Sequence, residues 1–168
     1  MMVPQRTVSD MDQNPLYTRL SLGRQALFLP QNDIRILESV LDVSTADRPV
    51  NGVGWLRFEE SRWPVYGLDE VLRPLATLPF QQRICALLTC AHGYFGLMCT
   101  DVATVQGSQI RIRSLPAAMT SPNSPVCGLT LDHGRVCLVS TAAALAGLLQ
   151  AEAAISHAPI PGKQDHYG

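Results

Sequence analysis

Apolar residues recur along the chain in runs of strand length, separated by polar or glycine-containing pairs. Residues 17–22 alternate, Gly23-Arg24 turns the chain, and residues 25–29 return. Residues 55–58 and 63–68 flank Glu59-Glu60-Ser61, and residues 84–91 and 94–99 flank His92-Gly93. Residues 129–131 and 136–139 flank residues 132–135, centred on a second His-Gly pair. Short alternating runs joined by turn residues are the signature of antiparallel hairpins, and glycine supplies the positive φ that tight turns need. Four such signals in 168 residues predict an all-β fold with minor helix.

Two segments break the pattern. Asn32 or Asp33 could N-cap a short helix with Ile34, Leu37 and Leu41 on one face, although Ile34 and Ile36 also fit a strand. Ser140 or Thr141 precedes an alanine- and leucine-rich stretch reaching Ile155, interrupted only by Gly147. That stretch predicts a C-terminal helix across the barrel surface, in which Leu145, Leu148, Leu149 and Glu152 define one buried stripe and one wet side. Residues 1–15 and 156–168 lack periodicity and are expected to be tails around one domain, 16–155.

Composition narrows the function classes. The formal net charge of −1 argues against a broad phosphate-binding face, and so against nucleic acid as a partner. No apolar run approaches the roughly 18 residues of a membrane span, and residues 1–13 lack the apolar core of a signal peptide. A cytoplasmic protein is expected. Only 16% of residues are charged, which leaves apolar surface for partners. The five cysteines, an odd number, sit mostly inside apolar runs and read as buried thiols in a reducing compartment.

Candidate chemistry is sparse. Cys90-Ala91-His92 with Cys85 and Cys99 offers soft donors for zinc, but the spacing is not a paired C-x-x-C and no second pair exists. Cys127, Cys137 and His133 could supply a thiol and a base, although nothing in the sequence forces them together. No nucleophile elbow, phosphate-cradling glycine loop or H-E-x-x-H helix is present. The expectation is therefore a protein without cofactor or metal that is not an enzyme. Arg57, between Trp55 and Phe58 at the end of an apolar run, admits two readings. It is an outward residue whose stem packs on a neighbouring ring, or an interface anchor of the kind arginine and tryptophan often form.

The order of these pieces resembles the CheW-like chemotaxis coupling proteins. Gly52-Val53-Gly54-Trp55-Leu56-Arg57-Phe58 followed by Trp63-Pro64-Val65-Tyr66-Gly67-Leu68 is similar to that family's Gly-Val-Ile-Asn-Leu-Arg-Gly hairpin and its Val-Pro-Val-Val-Asp-Leu-like strand. Phe95-Gly96-Leu97-Met98-Cys99 with Val102-x-x-Val105 resembles a strand of the second subdomain, and residues 128–139 resemble the closing hairpin. The likeness runs from about residue 17 to 149. It departs from the family at Trp55, Phe58, Gly67, Thr100 and Ser140, and in a short segment between Glu38 and Gly52, as expected of a divergent member.

The resemblance implies two SH3-like five-stranded β-barrel subdomains with a C-terminal helix. It also implies an adaptor role, coupling the cytoplasmic tip of a chemoreceptor to a CheA-type histidine kinase in a chemotaxis or pilus-motility array. Arg57 matches the family's receptor-facing arginine. Ile36 and Glu38 match its Val-x-Glu segment more loosely, and Trp55 and Phe58 flank the arginine. The same fold reused as an inhibitor or localisation adaptor is a second reading, and a thiol- or metal-dependent enzyme a third.

Overall fold

Four hairpins organise the computed structural model, which describes residues 15–156 except His92, with side-chain placement as far as residue 149. They are β1 (Leu16–Leu22) with β2 (Gln25–Pro30), β5 (Gly54–Phe58) with β6 (Ser61–Tyr66), β7 (Ile84–Cys90) with β8 (Gly93–Cys99), and β10 (Gly128–Asp132) with β11 (Arg135–Val139). These are the pairings the sequence pattern predicts. Three further strands, β3 (Ile34–Ser39), β4 (Val43–Ser44) and β9 (Asp101–Gln106), complete the sheets. The predicted tails lie outside the described residues, apart from Pro15 and Ser156.

One sheet has the order β10-β11-β2-β1-β9, and the other β3-β7-β8-β6-β5-β4. The second contains a sixth strand, the two-residue β4, beyond the five expected. Its two edges show that it curls. Only Val40–Asp42, a single 3-10 turn, separates β3 from β4. Four residue steps span at most about 14 Å, whereas the edges of a flat six-stranded sheet lie about 24 Å apart. The first sheet closes in another way. After β9 the chain crosses to the far edge, where the Arg113 and Leu129 backbones exchange hydrogen bonds of 2.7 and 2.9 Å.

Alternation along each strand then sorts the side chains. Leu20, Leu22, Leu27 and Leu29 of the first sheet meet Tyr66, Ala86, Leu88, Phe95 and Leu97 of the second in one shared core. The helix α1 (Ala142–Ser156) covers it with Ala142, Leu145, Ala146 and Leu149, spaced at helical intervals along one face. Of the anticipated stripe, Leu145 and Leu149 are buried, Leu148 is only partly covered, and Glu152 falls beyond the described side chains. Inside the second barrel lies a separate cluster, Val53, Leu56, Trp63, Val65, Cys85, Leu87 and Met98.

The anticipated helix from Asn32 or Asp33 is absent. A 3-10 turn (Gln31–Asp33) leads directly into β3, which pairs antiparallel with β7. The β-branched Ile34 and Ile36 suit a strand, and the ladder with β7 outweighs a local helical preference. Asp33 does cap a helix, but a distant one. Its carboxylate accepts the Ala142 backbone N–H of α1 at 2.8 Å, while the Thr141 hydroxyl accepts that of Ala144 at 3.1 Å. Ser140, the other candidate cap, is fully buried and donates its hydroxyl to the Pro125 carbonyl.

Candidate partner-binding surface

The β5–β6 hairpin positions Arg57. Phe58 pairs with Ser61, so the loop is the two residues Glu59 and Glu60, both with positive φ (47° and 64°). That geometry normally calls for Asn-Gly, because a side chain in the left-handed region crowds its own backbone. Glu60→Gly removes the strain at the second turn position, the one that glycine favours in such turns. It is expected to stabilise the protein by about 1 kcal/mol, read as a rise in Tm of a few degrees; an unchanged or lower Tm would refute the strain.

On β5, Leu56 points into the second barrel, so Trp55 and Arg57 lie together on its outer face. Their cross-strand partners are Pro64 and Arg62. Two arginines opposite one another repel, and Arg62 is drawn aside. Its guanidinium stacks 4.1 Å from the centre of the Trp55 ring and reaches Asp47 Oδ2 at 2.8 Å. That hydrogen bond holds the Asp47 carboxyl below the ordinary carboxylate range. Arg57 is exposed and, among the described residues, makes no side-chain hydrogen bond or ion pair. Asp42, Ser44 and Glu60 complete a shallow concavity around Trp55, Arg57 and Arg62, about 380 Å³ in volume. The surface is thus one free cation and one stacked cation beside a tryptophan, rimmed by carboxylates.

The other singled-out residues lie elsewhere. Phe58 packs against the interior cluster of the second barrel, edge-on to Trp63 with ring centres 5.9 Å apart, and Trp63 in turn contacts Tyr94 at 4.5 Å. Ile36 pairs with Leu87 and Glu38 with Cys85, which gives both the same interior-facing side. Ile36 nevertheless remains 40% exposed, because β3 is an edge strand. The five candidates therefore split between two faces: Trp55 and Arg57 outside, and Ile36, Glu38 and Phe58 along the inner face and rim. Arg35 links the rim, with its guanidinium 5.9 Å from the Phe58 ring centre and 3.1 Å from Glu59 Oε1. Neither Arg35 nor Arg62 stands out in sequence, although the two-residue turn alone sets Arg62 opposite Arg57.

The cysteines do not converge. Cys85 belongs to the interior of the second barrel and Cys99 to the shared core, on opposite faces of one sheet. Burial, with the neighbouring Cys99 and Glu38, pushes the Cys85 thiol up to about 12. Burial and Asp101 do the same to Cys99, also to about 12. Such thiols are poor nucleophiles and poor metal ligands at neutral pH. Among the described residues no three His, Cys, Asp or Glu side chains are grouped to hold a metal. His92, part of that candidate set, lies outside the described residues. Cys137 and His133 do line one cavity, but burial raises the Cys137 thiol as well, and exposed Cys127 is not part of that lining.

Two curled sheets that share a core, closed by one C-terminal helix, make the fold of CheW-type scaffold proteins. Among solved structures the chain is similar to the scaffolding protein TtCheW from Thermoanaerobacter tengcongensis, with a TM-score of 0.59 and 16% sequence identity. The match covers 76% of this chain and 89% of that one. No family model matches the chain, and no curated protein sequence matches it. Among the described residues no helix is long and apolar enough to cross a membrane.

Proposed function

We propose that this protein is a non-enzymatic adaptor of the CheW type, acting in the cytoplasm to couple the tips of chemoreceptors to a CheA-type histidine kinase. The observation that carries the reading is Arg57. By resemblance it matches the family's receptor-facing arginine, and among the described residues it stands exposed with no side-chain hydrogen bond or ion pair, on a fold similar to that of TtCheW. An unpaired guanidinium beside an indole, on rigid strands, is pre-organised for a partner's carboxylate or backbone carbonyl.

Arg57→Ala breaks no side-chain hydrogen bond or ion pair among the described residues, so it is expected to leave Tm nearly unchanged while weakening pull-down of a receptor-tip fragment at least about tenfold, as for an interface anchor. Wild-type binding by this variant would take Arg57 out of the site. Co-purification of the tagged protein from its host tests the wider reading. Recovery of a histidine kinase with receptors supports coupling, and recovery of an unrelated stable partner instead supports a repurposed localisation or inhibitor role. The second role gains weight from two departures: Trp55 is stacked under Arg62, and Phe58 is tied into an aromatic row, so neither resembles the small residues of the family motif.

A further inference from the structure

The interior of the first barrel is filled unevenly. Strand pairing puts Tyr17, Arg19 and Ser21 of β1 on the same face as Phe28 and Ala26 of β2, and Phe28 meets Cys137 and Val139 of β11 inside the barrel. Phe28, Cys137 and Val139 are the buried cluster there, with Tyr17, Val105 and Ile110 partly covered against it. The second barrel holds seven buried apolar side chains in the equivalent space. The difference lies at one end of the first barrel, between the Gly23-Arg24 and His133-Gly134 turns, where the interior becomes polar.

A cavity of about 310 Å³ opens at that end, lined by Arg19, Ser21, Arg24, Gln25, Asp132 and Arg135. Arg19 Nη1 reaches Asp132 Oδ2 at 2.6 Å, with the two side chains only 23% and 20% exposed. In the sheet β1 and β10 are separated by β2 and β11, so this ion pair crosses the lumen. It uses one of the five guanidinium donors of Arg19. Among the described residues the side chains of Arg24 and Arg135 have no hydrogen-bond or ion-pair partner. His133 Nε2 stands 3.6 Å from the other Asp132 oxygen. The mouth therefore gathers three guanidinium groups against one carboxylate. Two further carboxylates lie nearby: Glu70, which accepts the Arg24 backbone N–H at 2.8 Å, and Asp101, the cross-strand partner of Ser21.

We propose that the mouth of the first barrel binds a small oxyanion, a phosphate or a short carboxylate, gripped by Arg24 and Arg135 and seated against the Arg19–Asp132 pair. Guanidinium groups present planar donor forks that match such oxygens. The two turns carry Arg24 and Arg135 exposed at the rim, above the partly buried Arg19–Asp132 pair, where charge attraction exceeds its value in bulk water. A cavity at the small end of the ligand-pocket range fits a small ligand. The site lies away from the Arg57 surface, and the inference does not depend on the adaptor reading.

The test is an NMR titration of the isotopically labelled full chain at low salt, with inorganic phosphate in one series and succinate in the other. Saturable shifts confined to the amides of Ser21, Gly23, Gly134 and Arg135 are expected in at least one series, and the series that saturates identifies the ligand class. Arg24→Gln with Arg135→Gln is expected to weaken binding at least about tenfold while Tm without ligand stays at the wild-type value. Arg135→Lys, which keeps the charge but loses the fork, gives a smaller loss. Shifts that are absent, unsaturated at tens of millimolar or scattered over the surface would overturn the proposal, as would a double variant that binds like wild type.

Discussion

Leu97→Ala is expected to destabilise the protein by about 3–5 kcal/mol, the largest effect of any single substitution considered. Leu97 is fully buried in β8, where it pairs with Ala86 on one side and Tyr66 on the other. Its side chain belongs to the shared core, so the space it vacates is walled by two sheets and a helix. None of these walls can close the gap without drawing apart from its other contacts, and the cavity term is added almost in full to the lost transfer energy. A small domain has about 5–15 kcal/mol in total, so the variant sits near the edge of folding. Leu131→Ala is the control. That leucine is 61% exposed on the outer face of β10, and its removal is expected to stay within about 0.5 kcal/mol. Urea denaturation of both variants checks the contrast, and equal midpoints would show that the shared core is not the centre of stability.

The second large effect is alkaline loss of stability. Cys85 and Cys99 both have thiols pushed up to about 12 in the folded protein, chiefly by burial. In the unfolded chain they ionise near the ordinary value of about 9. A raised folded-state value means that the stabilising difference is complete below pH 9 and is lost as pH rises toward 12. Across that window each thiol removes about 1.4 kcal/mol per pH unit, so the pair removes about 2.7. Tyr66, whose hydroxyl is also raised by burial, adds in the same direction at the upper end. Urea midpoints measured between pH 8 and pH 10.5 are expected to fall steeply, and Cys85→Ala with Cys99→Ala to flatten the slope despite a lower starting stability. An equal slope in the double variant would refute the assignment.

Local pattern carried most of the fold. Each hairpin is written in a few consecutive residues, because a two-residue turn fixes the register on both sides of it. The same logic places Trp55 and Arg57 on one face and Phe58 on the other, so the split in the candidate surface follows from strand alternation alone. What local pattern could not supply was partnership at long range. β3 is a strand because it reaches β7, about fifty positions along the chain, and its short run satisfied a helical period equally well. β4 has two residues and no pattern of its own. Asp33 carries the right chemistry for a cap, but the helix it caps begins at Ala142. The aromatic row through Phe58, Trp63 and Tyr94 depends on neighbouring strands that the sequence does not order.

The threading of the two sheets has a consequence for how the protein is made. Every strand of the second barrel lies between residues 34 and 99, whereas the first draws β1 and β2 from one side of that span and β9 to β11 from the other. On the ribosome, the second barrel can close once residue 99 has emerged, while β1 and β2 wait for the other three strands of their sheet. During that interval the leucines of the waiting hairpin have one apolar surface to lie against, the flank of the barrel already formed. The union between the barrels is then the first long-range contact of the early hairpin. The mouth of the first barrel is the last feature to be completed, because Asp132 and Arg135 are among the last of its residues to leave the tunnel.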